Sequence, residues 1–379
     1  MTGCDFIVIG GGIAGAGAAY ELSRHGRVVL LERESSAGYH TTGRSAALFF
    51  ESYGGKTIQR LTRCGRAFLQ SPPDGFAEHP LLTPRGAVFV ARADQLGVME
   101  DALDHITTPG LTRLDPDETV AQVPALRRDY VAAGLLEPDA MDMDVNAIHQ
   151  GFLRGARRRG AEVVLDAEVS AMTRRDGRWR VETRAGGFDA PVVVNAAGAW
   201  ADVVARLAGA NPIGLVPKRR TAFTFPAPAG IDTARWPLVI DIEEQFYFKP
   251  ESGNFLGSPA DETPSEPCDA QPEDLDIAIA IDRIERASTL QIRRVLTRWA
   301  GLRCFVADKT LVIGEEPGLP GFYWLAGQGG YGIQTSPAAA RALTGLATEG
   351  ALPADLAAAG ILPEHLSPVR LRTDRSDAS

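Results

Sequence analysis

The chain has 379 residues, of which 45% are hydrophobic and 23% charged, and this length can hold two domains with sizeable cores. A formal net charge of -9 and the lack of a long basic run exclude a nucleic-acid partner, and no run of about 18 apolar residues predicts a membrane span. The four cysteines have no metal-type spacing and no basic leader precedes the first apolar run, so we expect a reduced, cytoplasmic protein without a metal site, in solution or peripheral to the inner membrane.

The chain begins with a strand, a glycine turn and a helix. Phe6–Ile9 is a short apolar run typical of a strand, and Ala14–Leu22 is rich in helix formers. Gly10, Gly12 and Gly15 complete a G-x-G-x-x-G pattern, whose glycines permit a tight turn, close approach of a pyrophosphate and close packing of helix on strand. Because the helix N-terminus also offers N–H groups to phosphates, this order predicts a dinucleotide site.

An acidic residue ends the second apolar run, residues 27–31. Glu32 stands where a carboxylate accepts hydrogen bonds from an adenosine ribose, and its charge would repel a 2′-phosphate. The first unit therefore argues against NADP.

The rest of the chain alternates between nucleotide-type elements and sheet material. Residues 39–47 are typical of a loop entering a helix, Val145–Arg159 of an amphipathic helix, and 192–198 of a buried parallel strand ending near a ligand. Alternating segments within 213–257 predict an antiparallel sheet, and the strand and glycines of 322–330 precede a helix from about Thr335. Nucleotide-type elements thus lie at both ends and in the middle, so one domain is discontinuous.

No second G-x-G-x-x-G of equal quality occurs in the chain. A flavoenzyme reduced by NADH usually needs a separate nicotinamide site. Reducing equivalents are therefore expected to come directly from the organic substrate.

Five segments in this order resemble the FAD-dependent D-amino-acid oxidase/dehydrogenase family, from about residue 4 to about residue 370. Within that family, residues 38–47, 78–82, 217–220 and 257–260 are most similar to the D-arginine dehydrogenases. The segments that carry the family resemblance are 9–15, 42–47, 194–200, 299–314 and 327–334.

The resemblance implies an α/β fold with a discontinuous Rossmann-like FAD-binding domain and a substrate domain that carries a mixed or antiparallel sheet. We assign residues 1–83, 136–207 and 307–379 to the first domain, and 84–135 and 208–306 to the second. The implied reaction is oxidative deamination of a D-amino acid by hydride transfer from the α-carbon to flavin N5, giving a 2-oxo acid and ammonia. The FAD is expected to be non-covalent, because the offset of Cys304 from Asp308 does not match the attachment cysteine of the related sarcosine oxidases.

Four residues are predicted to act on the substrate. Arg303 matches the arginine whose planar fork can hold a substrate carboxylate, with a domain-interface ion pair as the alternative. Arg220 matches a second pocket arginine, although the three adjacent cations of 218–220 would also suit a solvated strand end. Tyr53 and Tyr247 match phenols near the substrate, and each could equally be a core ring.

The predicted cofactor residues follow from the same alignment of motifs. Glycines at the turn before the last long helix are expected to face the flavin, where a helix N-terminus would stabilise the reduced anion. The full set is Gly10, Gly12, Ile13, Ala14, Gly15, Glu32, Arg33, Thr42, Gly43, Arg44, Ser45, Ala47, Val169, Ala197, Gly198, Trp200, Gly329, Gly330, Tyr331, Gly332, Ile333 and Gln334.

The predicted substrate pocket contains Leu48, Phe50, Ala87 and Gly330, and it departs from the D-arginine dehydrogenase pattern. Ala87 stands where that pattern has a glutamate for the substrate guanidinium, and burying a cation without its partner costs several kcal/mol. Leu48 and Phe50 make the pocket more apolar. We therefore expect a neutral or apolar substrate rather than arginine.

Other functions remain open at the level of sequence. The same scaffold suits glycine, secondary or N-methyl amino acids and 2-hydroxy acids, and a flavin-bound subunit of a multicomponent dehydrogenase is a non-enzymatic alternative. The electron acceptor could be a quinone, an electron-transfer protein or O2. A monomer and a homodimer are both compatible with the sequence.

Overall fold

The computed structural model describes residues 3–106 and 108–372. The strands are β1 (Phe6–Ile9), β2 (Val28–Leu31), β3 (Leu48–Phe49), β4 (Leu82–Pro84), β5 (Ala87–Ala91), β6 (Thr112–Leu114), β7 (Ala133–Glu137), β8 (Met141–Met143), β9 (Glu162–Val164), β10 (Val169–Arg175), β11 (Arg178–Thr183), β12 (Gly186–Ala190), β13 (Val192–Asn195), β14 (Val216–Pro226), β15 (Leu238–Asp241), β16 (Tyr247–Glu251), β17 (Asn254–Ser258), β18 (Thr263–Pro264), β19 (Thr297–Phe305), β20 (Val312–Glu315) and β21 (Phe322–Ala326). The helices are α1 (Ile13–Leu22), α2 (Lys56–Gln70), α3 (Leu96–His105), α4 (Pro116–Gln122), α5 (Val145–Arg158), α6 (Ala201–Leu207), α7 (Asp274–Ala287), α8 (Gly332–Thr348), α9 (Ala354–Ala358) and α10 (Pro363–Leu366).

The first sheet has six strands in the order β20-β21-β13-β1-β2-β9, and all its pairs are parallel except β20–β21. Strand β1, near the middle of this sheet, is covered on both faces. Phe6 and Val8 pack with helices α1, α5 and α8, and Ile7 and Ile9 pack with β11 and α6. The strands come from three separate stretches of the chain. This is the predicted discontinuous Rossmann-like arrangement.

A second sheet in the order β18-β14-β17-β16-β15-β5-β7-β6, with β19 paired to β14, is mixed: β15–β5 is parallel and its other pairs are antiparallel. One face packs on α7 through phenylalanines such as Phe223 and Phe255. The opposite face presents Ala87, Leu238 and Ile240. The fold class is therefore confirmed, whereas the domain boundaries stay a prediction, and the proposed one after residue 135 falls inside β7.

Residues 39–47 differ from their predicted form. Only Thr42–Arg44 makes a single 3-10 turn, and the chain then enters β3 rather than a helix. The reason is pairing with a distant strand, since Leu48 and Phe49 pair with Asp142 and Met141 of β8. By contrast, the predicted helix Val145–Arg159 is confirmed as α5.

Among the described residues, no helix combines the length and the apolarity that crossing a membrane requires.

Candidate active site

One continuous cavity runs between the two sheets, from Glu32 and Val169 at one end to Arg303, Tyr247 and Phe89 at the other. It brings together most of the predicted site residues. Those that line it are Gly10, Gly12, Ile13, Ala14, Glu32, Arg33, Thr42, Arg44, Ser45, Ala47, Leu48, Phe50, Tyr53, Val169, Ala197, Gly198, Trp200, Arg220, Tyr247, Arg303, Gly329, Gly330, Gly332 and Ile333.

The turn between β1 and α1 requires glycine for two separate reasons. Gly10 has a φ of +108°, and a Cβ there would stand 2.4 Å from the carbonyl oxygen of Ala196. A Cβ on Gly15 would stand 1.8 Å from the carbonyl oxygen of Gly10. Gly15 packs against the turn in this way and does not line the cavity. These contacts bring helix, turn and strand as close as the sequence pattern predicts.

The N-terminus of α1 opens on the cavity. Gly12 is its N-cap residue, and the N–H of Ile13 donates to the Thr42 hydroxyl at 2.9 Å. A Cβ on Gly12 would come within 3.3 Å of that hydroxyl. First-turn N–H groups have no intrahelical acceptor, so this end of the cavity suits an anionic pyrophosphate.

Glu32 fixes the wall beside this turn. Its carboxylate accepts hydrogen bonds from the N–H of Gly11 at 2.7 Å and of Glu34 at 2.9 Å. Burial raises the pKa of Glu32, and those two N–H groups act in the opposite direction. Because each carboxylate oxygen keeps a further acceptor site, the residue can also receive a ribose hydroxyl.

His149 supports the same turn from α5. Its Nε2 lies 2.8 Å from the carbonyl oxygen of Gly11, and since a carbonyl can only accept, the ring donates from Nε2. Burial lowers the pKa of His149. The neutral imidazole therefore holds the glycine turn in place.

The guanidinium of Arg44 binds groups from two later segments of the chain. It pairs with Asp269 and donates to the carbonyl oxygens of Ala270 at 2.9 Å and Ala300 at 3.1 Å. These contacts fasten residues 269–270 beside the cavity that Arg44 lines, and its contact with FAD stays a prediction.

Arg303 lies at the other end of the cavity. Its Nη1 donates to the Tyr53 hydroxyl at 3.1 Å, and it forms no ion pair with a carboxylate of the described residues. Gly330 leaves the space beside it open, because a Cβ there would lie 2.7 Å from Nη1 of Arg303 and 2.9 Å from the Tyr53 oxygen. A half-buried guanidinium in this state is matched to an anionic ligand.

Arg220 is already partly neutralised. Its Nη2 lies 3.4 Å from Glu262 and 3.9 Å from Glu244, while its buried Nε has no partner among the described residues. Glu244 itself lines the cavity and adopts a φ of +53° in the turn before β16. Arg220 therefore offers less free charge to a ligand than Arg303 does.

An apolar wall, formed by Leu48, Phe50, Phe89, Leu238 and Ile240, continues from Arg303 along the second sheet. The Phe50 ring stacks on Tyr53 with 4.8 Å between ring centroids. Phe89, Leu238 and Ile240 were not predicted as pocket residues. The apolar run of residues 238–240 could have indicated a strand, but the position of that strand in the sheet is set by its pairing with β5, about 150 residues earlier.

Ala87 lies behind this wall and does not line the cavity. It is fully buried, directly across the ladder from Glu137. The carboxylate of Glu137 is bound by the N–H of Glu51 at 2.7 Å and by the Ser52 hydroxyl, so it points into the loop that follows β3. Neither position supplies a carboxylate to a cationic substrate side chain.

The predicted cofactor residues Gly43, Tyr331 and Gln334 do not line the cavity either. Gly43 packs against the Gly38 carbonyl, and the Tyr331 hydroxyl donates to the Lys309 carbonyl. Gln334 donates to the Phe50 carbonyl at 3.2 Å and to the Thr62 hydroxyl at 2.8 Å, so it holds the loop that follows β3.

Comparison with known proteins agrees with this site. Residues 5–346 match the model of the FAD dependent oxidoreductase (DAO) family. The chain belongs to this family. FAD is therefore its cofactor, and the glycine turn, the α1 N-terminus and Glu32 are the residues of this FAD-dependent oxidoreductase that would hold its ADP part.

Two similar proteins carry names from amino-acid oxidation. Human mitochondrial dimethylglycine dehydrogenase is 27% identical over 265 residues, which cover 67% of this chain and 30% of that protein. Human mitochondrial sarcosine dehydrogenase is 27% identical over 350 residues, covering 84% of this chain and 37% of that protein. The matched regions thus span about a third of the length of these relatives.

The solved structure of L-proline dehydrogenase from P. horikoshii superimposes with a TM-score of 0.83 at 21% identity and covers 98% of both chains. At that identity the likeness establishes the fold. The narrower resemblance to D-arginine dehydrogenases stays a prediction.

Proposed function

We propose that this oxidoreductase oxidises the α-carbon of an amino acid with a neutral or apolar side chain, with the D enantiomer as the expected substrate. The observation that carries the proposal is Arg303, a half-buried guanidinium that has no carboxylate partner among the described residues and lies in a cavity continuous with the FAD site. A substrate carboxylate would supply the missing anion. When bound, FAD supplies the hydride acceptor.

The chain's own residues orient the substrate and exclude water. Arg303 and Tyr53 hold the carboxylate, and this fixes the α-carbon relative to the cavity floor at Gly330. Burial raises the pKa of Tyr53, so its phenol stays neutral and serves as a hydrogen-bonding group rather than as a base. Leu48, Phe50 and the rest of the apolar wall receive the side chain.

A secondary or N-methyl amino acid is the second candidate. It is supported by the relatives, which are named for dimethylglycine and sarcosine. The same carboxylate anchor would serve this class, as it would serve glycine or a 2-hydroxy acid.

The test is an anaerobic screen of the purified holoenzyme, in which loss of flavin absorbance reports substrate oxidation. We expect neutral D-amino acids to reduce the flavin fastest and D-arginine to react about a hundredfold more slowly, because Ala87 supplies no carboxylate to its cation and the cavity-lining Glu244 already faces Arg220. L-enantiomers, N-methyl amino acids and 2-hydroxy acids complete the panel. Admission of oxygen afterwards separates an oxidase from a dehydrogenase that uses a quinone or an electron-transfer protein.

Each alternative has a distinct outcome. Fastest reduction by an N-methyl amino acid would select the second candidate. Fastest reduction by D-arginine or D-lysine would overturn the inference from Ala87. A flavin that no compound reduces would point to a non-catalytic subunit of a multicomponent dehydrogenase.

A further inference from the structure

We infer that Lys249 determines specificity at the far end of the substrate pocket by donating a hydrogen bond to a neutral oxygen acceptor, such as a carboxamide, on the substrate side chain. The inference rests on the proposed function and narrows its substrate class from neutral side chains in general to those that carry an acceptor at their end.

The register of the second sheet places Lys249 on the pocket face. Val239 pairs with Phe248 and Ile240 with Tyr247, so Lys249 lies opposite Leu238 and shares a face with Tyr247. Residues two apart on a strand are separated by about 7 Å, and Lys249 is therefore one step beyond Tyr247 along the apolar wall. Both side chains line the cavity.

The surroundings of Lys249 leave one of its donors available. Its ammonium binds Asp142 at 2.7 Å and Glu251 at 2.6 Å, and the residue is only 5% exposed. An ammonium carries three N–H donors, and no third acceptor for Lys249 occurs within residues 3–106 and 108–372. Because Lys249 also lines the cavity, we assign the remaining donor to that side.

The charges around Lys249 select a neutral partner. Arg85 binds the other oxygen of Asp142 at 2.6 Å, so the two cations are balanced by Asp142 and Glu251. A cationic side chain would face the ammonium, and an anionic one would face two carboxylates already in place. A neutral acceptor oxygen meets neither repulsion.

The apolar wall strengthens this discrimination. A hydrogen bond made in a dry, apolar setting is stronger than one exposed to water, and a donor left without its acceptor there is penalised. A substrate that ends in a methyl group beside Lys249 would forgo that bond. An amide of the same shape would form it.

The experiment compares two isosteric substrates, glutamine and 5-methylnorleucine, in the enantiomer that the wild-type holoenzyme oxidises. We expect wild-type kcat/KM to favour the amide by about tenfold, the effect of one hydrogen bond from a charged donor. Lys249→Met should abolish that preference. Arg85→Met is the matched control, because it disturbs the same Asp142 but does not line the cavity, and it should keep the ratio within about twofold.

Lys249→Arg provides a second variant in case the methionine variant fails to fold, and it should retain the preference for the amide. An equal ratio in wild type and Lys249→Met, or a wild-type preference for the alkyl compound, would overturn the role of Lys249 alone. If no amino acid reduces the flavin at all, the proposed function itself is wrong. The two failures are thus distinguishable.

Discussion

The two ends of the cavity are constructed differently. The pyrophosphate part of the cofactor end is formed by the short stretch Gly10–Gly15, with Glu32 and His149 holding that backbone from beside it. The substrate end is made by side chains from segments that are far apart in the sequence, among them Phe50, Tyr247 and Arg303. Local pattern therefore identifies the cofactor, whereas the substrate depends on how distant strands pair.

The two constructions also differ in their tolerance of change. At Gly10 and Gly15 of the cofactor end a single added carbon meets backbone atoms, which cannot move aside. At the substrate end the same change meets other side chains, which can repack. The predictions below test this difference, beginning with the largest effect.

Gly15→Ala should abolish FAD binding, because its Cβ would stand 1.8 Å from the Gly10 carbonyl oxygen. The measurement is the FAD content of the purified protein, from its absorbance. Gly97→Ala is the matched control, since a Cβ at that exposed position in α3 meets nothing within 4 Å. The control should retain full FAD content, and a Gly15→Ala protein with normal FAD would contradict the prediction.

Arg303→Lys should reduce kcat/KM by about a hundredfold or more, because lysine cannot reproduce the planar fork in a buried site. FAD content should stay unchanged, which would show that the two ends act separately. Arg298→Lys is the control on the same strand, where the arginine is exposed and pairs with Asp274. Equal losses in both variants would mean that Arg303 is structural.

Tyr53→Phe should reduce kcat/KM by about tenfold, the low end of the range for one hydrogen bond to a charged group. The phenylalanine ring can keep the stacking on Phe50 while the contact of the hydroxyl with Arg303 is lost. Steady-state kinetics with a saturating acceptor would measure it. A loss as large as that of Arg303→Lys would assign the phenol a role in proton transfer instead.

The smallest effect concerns the pH dependence of stability. Burial lowers the pKa of His149 below its ordinary value of 6.5, so around and below that pH the unfolded chain binds a proton that the folded chain does not. The free energy of unfolding should therefore fall as the pH drops below about 6.5, by at most about 1.4 kcal/mol per pH unit. His149→Gln should show a smaller fall in thermal midpoint between pH 7.5 and 5.5.

His79→Gln is the control for this titration, because His79 is exposed. It should leave the pH dependence as it is in wild type. A His149→Gln protein with the wild-type pH dependence would contradict the assignment.

The sequence was most informative where function depends on the local course of the chain. The strand and glycine turn of residues 6–15, the helix from Val145 and the strand from Val192 all follow from composition and spacing within one segment. Arg303 and Tyr53 came from resemblance to a family, and the structure brings them within hydrogen-bonding distance although 250 positions separate them.

The contacts that the sequence did not predict have a common physical cause. Gln334 and Arg44 carry polar groups in the right segments, but their donors are taken by Phe50 and by Ala270 and Ala300, partners that only tertiary packing defines. Lys249 was missed for the same reason, since its carboxylate partner Asp142 lies on a strand more than 100 residues away. Spacing in one sequence carries no information about such pairs.

The loop of residues 50–54 is secured through its main chain, by Glu137 at Glu51, by Gln334 at Phe50 and by Gln59 at Ser52 and Gly54. None of these contacts uses the side chains of Phe50 or Tyr53. Exchanging those rings therefore need not alter the path of the loop, which makes this segment a scaffold on which substrate preference can be redesigned while the framework stays intact.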